Sequence, residues 1–213
     1  MKIARRSFLL GSALAGLFGH PVACLAAAED QAAPVARIYM FRGLFGIFSL
    51  GIDKLAAKLR GAGYEPSILG WEQWGLAVNE IVANHRRGDT GHTILIGHSL
   101  GSDSTVQLAN SVASEKIPID LIVTFDMTQP LAVPANVERF INFYQNNGVG
   151  RRAIAGAGFQ GELSNVDLSA DHSLDHLNID ESEKLQLLVV NNVFDVTYQQ
   201  TQQVPARRRT KVL

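Results

Sequence analysis

The sequence predicts an α/β fold, a three-layer sandwich with a mostly parallel central sheet of about five or six strands. Two observations predict it. Short runs of β-forming residues alternate along the chain with longer stretches whose apolar residues recur at helical spacing, the rhythm of βαβ units. One of those runs, Ile94-Leu95-Ile96, is uninterruptedly apolar, as befits a strand covered on both faces, and it passes through Gly97-His98-Ser99-Leu100-Gly101 straight into a helical pattern.

The amino terminus stands outside this pattern. Lys2, Arg5 and Arg6 precede an apolar run over residues 8–18, and Ala26-Ala27-Ala28 follows as an A-x-A-like cleavage site. Residues 1–28 therefore read as an export signal, and the expected location is periplasmic or secreted, in a bacterium. The stretch Arg5-Arg6-Ser7-Phe8-Leu9 resembles a twin-arginine signal, with a general secretory signal as the alternative. Gly11, Gly16, Gly19, His20 and Pro21 break the apolar run well short of the roughly 18 clean residues a membrane span needs. Pro21 and Val22 fit a lipoprotein site at Cys24 poorly, so no stable membrane anchor is expected once the signal is removed. Cys24 is the only cysteine, and cleavage after Ala28 would leave neither a disulfide nor a thiol nucleophile.

Residues 35–197 form the expected domain. Residues 36–41 read as its first strand, followed by the glycine-rich Arg42-Gly43-Leu44-Phe45-Gly46. Ile52, Leu55, Ala56 and Leu59 then mark a helix stopped by Gly61 and Gly63, and residues 65–69 a short strand. Trp74, Ala77, Val78, Ile81 and Val82 repeat the helical spacing up to Arg86-Arg87-Gly88. After the Ser99 turn, Val106, Ala109 and Val112 form the inner stripe of a third helix. Strands are expected at residues 119–125, ending on Asp126, and at 137–144. The 31 residues from 145 to 175 are rich in glycine, with a short strand at 162–168; a connection that long is usually functional. Asp180, three residues before Glu183, reads as the N-cap of a final helix with Leu185, Leu188, Val189 and Val193 inward. Residues 198–213 are a polar, basic tail, expected to be disordered.

Charge narrows the range of partners. Of 19 Lys and Arg, three lie in the signal and four in the tail, whereas all 20 Asp and Glu fall between Glu29 and Asp195. The middle of the chain thus carries 12 basic against 20 acidic residues, which argues against nucleic acid as its partner. No cofactor is implied, and the histidines and carboxylates show no metal-type spacing.

The glycine-flanked turn carries the chemistry. A serine at the tip of a strand–turn–helix must take a strained conformation that pushes its hydroxyl out of the sheet, so the positions two before and two after need minimal side chains. Gly97 and Gly101 supply them. The amide of Leu100, at the positive end of the new helix, points to where an attacked carbonyl oxygen would gain charge. Over this stretch the sequence resembles the α/β-hydrolase superfamily, whose serine elbow often reads Gly-His-Ser-Leu-Gly.

The resemblance implies a serine hydrolase with Ser99 as nucleophile and, in chain order, an acid and then a histidine. It also implies an oxyanion donor from the loop after the first strand. Arg42 to Gly46 looks like the superfamily's His-Gly-x-x-Gly-like run with arginine in place of histidine, leaving Gly43, Leu44 and Phe45 as candidate donors beside Leu100. His172 and His176 are the histidines after Ser99; His176, directly before the final helix, occupies the position the superfamily gives its base. Asp126, at the carboxyl end of a strand, is the preferred acid, with Asp167, Asp171 and Asp175 as alternatives. His98 is expected to point away from Ser99 into packing, and His85 and His92 to take no part. No separate cap domain fits the length. The expected reaction is cleavage of an ester or thioester through an acyl-enzyme on a small or lipid-like acyl substrate; the apolar Leu44, Phe45, Ile47 and Phe48 either line an acyl pocket or pack as core. Acyl transfer, or a non-catalytic exported binding domain, are the alternatives.

Overall fold

A computed structural model describes residues 36–44 and 50–199; the export signal, Phe45, Ile47, Phe48 and residues 200–213 of the tail lie outside them. Eight strands and four helices follow in order: β1 (Ala36–Arg42), α1 (Leu50–Gly61), β2 (Ser67–Gly70), α2 (Trp74–Arg86), β3 (His92–His98), α3 (Leu100–Ala113), β4 (Leu121–Phe125), β5 (Ala132–Val133), β6 (Arg139–Tyr144), β7 (Ile154–Ala155), β8 (Glu162–Asp167) and α4 (Glu183–Gln199). Six strands form one sheet in the order β2-β1-β3-β4-β6-β8, and every neighbouring pair is parallel. The fold is the three-layer α/β sandwich that the alternation of patterns predicts.

Side-chain alternation along each strand sorts the core into two layers. Ile38, Met40, Ile94, Ile96, Leu121 and Val123 pack with the inner faces of α1 (Ile52, Leu55, Ala56, Leu59) and α4 (Leu185, Val189, Val193). Tyr39, Phe41, Leu95, Ile122 and Phe140 face the other way, onto Ala77 and Ile81 of α2 and Val106, Ala109 and Val112 of α3. All seven residues of β3 and all five of β4 are buried, as expected of central parallel strands. At about 25 cal/mol per Å², burying each such Leu, Ile or Val is worth roughly 1.5–3 kcal/mol.

Element boundaries shift where backbone donors run out. The second strand starts at Ser67 rather than at residue 65, because Pro66 has no N–H to give the ladder. Residues 119–120 and 137–138 are joined to one another by an isolated Ile119–Val137 bridge, so β4 and β6 are shorter than the sequence predicts. Asp180 does not cap the last helix. It lies in a 3₁₀ turn over Ile179–Glu181, and its carboxylate accepts the Ile52 N–H at the start of α1 instead, at 3.1 Å.

The chain runs out from β1 to β2 and then returns past β1 to form β3. That reversal makes the crevice beyond the carboxyl ends of β1 and β3 the topological switch point, where open parallel sheets hold their ligands. From β6 to β8 the chain crosses without a helix, through β7 paired to β5, and Ala153, Phe159 and Leu163 from this stretch pack on the α2–α3 layer.

Candidate active site

Ser99 stands between the last residue of β3 and the first of α3, with φ 56° and ψ −126°. A side chain rarely tolerates such a φ, and the surroundings explain how it is held. A Cβ on Gly97 would lie 2.3 Å from the Gly101 carbonyl oxygen, and one on Gly101 only 2.2 Å from that of Phe41. The two glycines thus let the helix start fold back over the strand and against the end of β1. Ser102 closes the turn from below, its hydroxyl sharing its proton between the carbonyls of Gly97 and Phe125 at 2.8 and 3.0 Å.

Three side chains meet here in a chain of hydrogen bonds. His176 Nε2 lies 2.9 Å from Ser99 Oγ, and His176 Nδ1 lies 3.0 Å from Asp126 Oδ2. With Asp126 ionised, the Nδ1–H donates to the carboxylate, which leaves the Nε2 lone pair to accept the serine proton. Asp126 follows β4 directly, fully buried and at φ 51°. Its other oxygen, Oδ1, accepts the Gln145 N–H at 2.8 Å. Gln145 also reaches across to the histidine loop, its Nε2 donating to the Leu174 carbonyl at 2.8 Å, so one residue braces both Asp126 and the segment that carries His176.

The remaining sequence candidates are elsewhere. His172 is exposed. Asp167 and Asp171 hold Ser169 and Ser173 in local turns. Asp175 accepts the amides of Leu177 and Asn178 at 2.8 and 3.1 Å and so shapes the turn that presents His176. His92 pairs with Asp120 at the amino end of the sheet, 2.7 Å apart; the hydrogen bond to that carboxylate raises the His92 pKa. His85, His92 and Asp120 border a cavity of about 280 Å³ at that edge, opposite the edge that bears Ser99. His98 is buried but does more than fill space: its ring centroid is 5.2 Å from that of His176.

For an oxyanion, the helix start and the loop after β1 are the available sources. Leu100 opens a helix of 14 residues, and a first-turn amide has no partner within its own helix. Gly43 and Leu44 follow the end of β1, against which Gly101 packs; Phe45, the third candidate, lies outside the described residues. Asp103, in the first turn of α3, secures the segment after Asp126 by accepting the Thr128 N–H at 2.9 Å and the Gln129 N–H at 3.3 Å. Burial raises its pKa.

The sequence does not single out the supports of Asp126. Asn142 Nδ2 donates to the Arg151 carbonyl and to Asn165 Oδ1, both at 2.9 Å, and Thr124 Oγ1 donates to Asn142 Oδ1. Asn165 in turn takes the Ala153 N–H and donates to the Ala153 carbonyl. This partly buried ladder, built from three sheet strands, fixes the segment that follows Gly150. An inward polar residue on a central strand is its sequence signal: Asn142 interrupts an otherwise apolar run.

No protein-family model matches this chain, and no curated protein matches it. Among solved structures, a similar fold occurs in a provisionally assigned hydrolase of the alpha/beta superfamily from Xanthomonas campestris pv. campestris. It is 13% identical, covers 79% of this chain and 99% of that one, and gives a TM-score of 0.43. At that level the likeness carries no weight, and the chemistry rests on the geometry.

Proposed function

We propose that the protein is an exported serine hydrolase that cleaves an ester or thioester through an acyl-enzyme. The continuous Ser99–His176–Asp126 hydrogen-bond chain at the switch point of the sheet supports this reading. In the first half-reaction Ser99 Oγ attacks the acyl carbonyl while His176 Nε2 takes its proton, and Asp126 stabilises the resulting imidazolium. The tetrahedral oxyanion is met by the Leu100 amide and one from Gly43 or Leu44. On collapse, the bond to the leaving oxygen or sulfur breaks and His176 returns the proton to that atom. Water then repeats the sequence against the acyl-serine, releasing the acid and restoring the serine hydroxyl.

Leu44, Leu50 and Leu177 are exposed on segments that adjoin the elbow or the base. Exposed apolar side chains on these segments favour a hydrophobic or lipid-like acyl group. The export part of the proposal rests on the arginine pair and the alanine triplet upstream, and intact-mass analysis of the protein from the periplasm or medium tests it, cleavage after Ala28 being the expected result.

Labelling with a fluorophosphonate at neutral pH tests the reaction class. The wild-type protein should label rapidly and Ser99→Ala not at all; an unreactive wild-type protein points to a non-catalytic binding domain. Product analysis with an added alcohol then separates hydrolysis from acyl transfer.

A further inference from the structure

The residue before the nucleophile is buried to 1% exposure, yet it is an imidazole where a sheet core would ordinarily take an aliphatic side chain. His98 ends β3 on the side that faces α1 and α4. Its Nε2 lies 2.7 Å from the backbone carbonyl oxygen of His176. Since a carbonyl only accepts, the nitrogen must carry the hydrogen and donate it. On the other side of the ring, Nδ1 is 3.9 Å from Asp180 Oδ2, and that oxygen accepts the Ile52 N–H at the start of α1.

We propose that His98 is a positioning residue: its Nε2–H holds the His176 main chain so that the His176 ring bridges Ser99 and Asp126. This rests on the hydrolase reading of the site. His176 sits on a turn outside the sheet, and its ring must meet two partners at once. The turn is tied to the rigid layer on both flanks, at Leu174 by Gln145 and at His176 itself by His98. The second tie acts on the residue whose ring moves the proton, and it originates one residue from the nucleophile, so base and serine are referenced to the same strand end. Burial supports the assignment by pushing the His98 pKa down to about 4, which keeps the ring neutral. Reacting groups displaced by about 1 Å can lose roughly a hundredfold in rate.

Two measurements test the proposal. Long-range proton–nitrogen correlation spectra of the wild-type protein should show His98 as the Nε2–H tautomer and His176 with a hydrogen-bonded Nδ1–H; the Nδ1–H tautomer at His98 overturns the proposal whatever the activity. In kinetics on a p-nitrophenyl ester, His98→Leu should lower kcat about 10- to 100-fold with KM little changed, and slow fluorophosphonate labelling in parallel. His98→Gln, whose amide nitrogen reaches about as far, should recover most of that loss and restore the His176 Nδ1–H resonance. Equal kcat and unchanged resonances in His98→Leu, or a Gln variant as slow as Leu, overturn it. If His98→Leu does not fold, the comparison of His98→Gln with the wild-type spectra decides. A wild-type protein that never labels defeats the hydrolase reading alone, because the tautomer and the Nδ1–H signal are still read.

Discussion

Gly150 leaves room for the Asp126 carboxylate: a Cβ at that glycine would lie 2.2 Å from Asp126 Oδ1 and 2.8 Å from the Gln145 nitrogen that bonds it. Neither neighbour is the end of a loose side chain, since Asp126 is fixed by His176 and Gln145. Gly150→Ala should therefore displace the acid while leaving the sheet intact. We expect kcat to fall about tenfold or more with KM nearly unchanged. Wild-type kcat in a variant of wild-type melting temperature would mean that Asp126 is not the orienting acid.

Gly101 presents a harder collision. Its added methyl would meet main-chain atoms, 2.2 Å from the Phe41 oxygen and 2.9 Å from the Arg42 oxygen, and backbone cannot swing aside as a rotamer can. Gly101→Ala should cost roughly 1–3 kcal/mol or more, read by urea denaturation, and should slow fluorophosphonate labelling because α3 is pushed away from β1. A change within error of zero would show that the elbow has more slack than the packing indicates.

How much of this was legible in the sequence follows from which interactions are local. The elbow could be read because its constraint is short-range: two glycines within two residues of Ser99, after an apolar strand. The helices could be read because Ile52, Leu55, Ala56 and Leu59 repeat at 3.6 residues and are all buried. Asp126 and His176 were reachable through a family order and a strand end. Asp180 reads as a helix N-cap because an acidic residue ahead of a helical pattern is a local cue, whereas its actual partner, the Ile52 amide, is 128 positions away. Gln145 and Gly150 act only across segments brought together by folding, and nothing in their own neighbourhoods marks them; of the Asn142–Asn165 ladder, the polar Asn142 within an apolar strand is the one local sign.

The acid can be separated from its neighbours by substitution. Asp126→Asn keeps the shape but presents an amide to His176 Nδ1, favouring the wrong tautomer, and should cost on the order of 10³–10⁴ in kcat. The exposed Asp167 and Asp171 carboxylates bond chiefly to Ser169 and Ser173 in local turns, so Asp167→Asn and Asp171→Asn should keep activity within about twofold of wild type. Steady-state ester hydrolysis distinguishes them. A mild Asp126→Asn beside a severe Asp167→Asn or Asp171→Asn would transfer the role of acid.

Asp180 gives a prediction in pH rather than rate. Burial, the largest influence on it, raises its carboxyl from an ordinary 3.8 to about 7. Between those values the folded protein holds a proton that the unfolded chain has released, so this group's contribution to stability is complete below the lower value and is lost as pH rises through about 7. Asp180→Asn is neutral throughout and can still accept the Ile52 N–H. The stability of the variant minus that of the wild type should therefore climb with pH from 4 to 7, by at most about 1.4 kcal/mol per unit. His98, held low at about 4 by burial, has the opposite slope over the lower part of that window and lies 3.9 Å from Asp180 Oδ2, so making both proteins in a His98→Gln background removes its share from the difference. Denaturant melts of the two proteins at half-unit pH steps measure that difference, and parallel stability curves would show that the buried carboxyl is already ionised in the folded state.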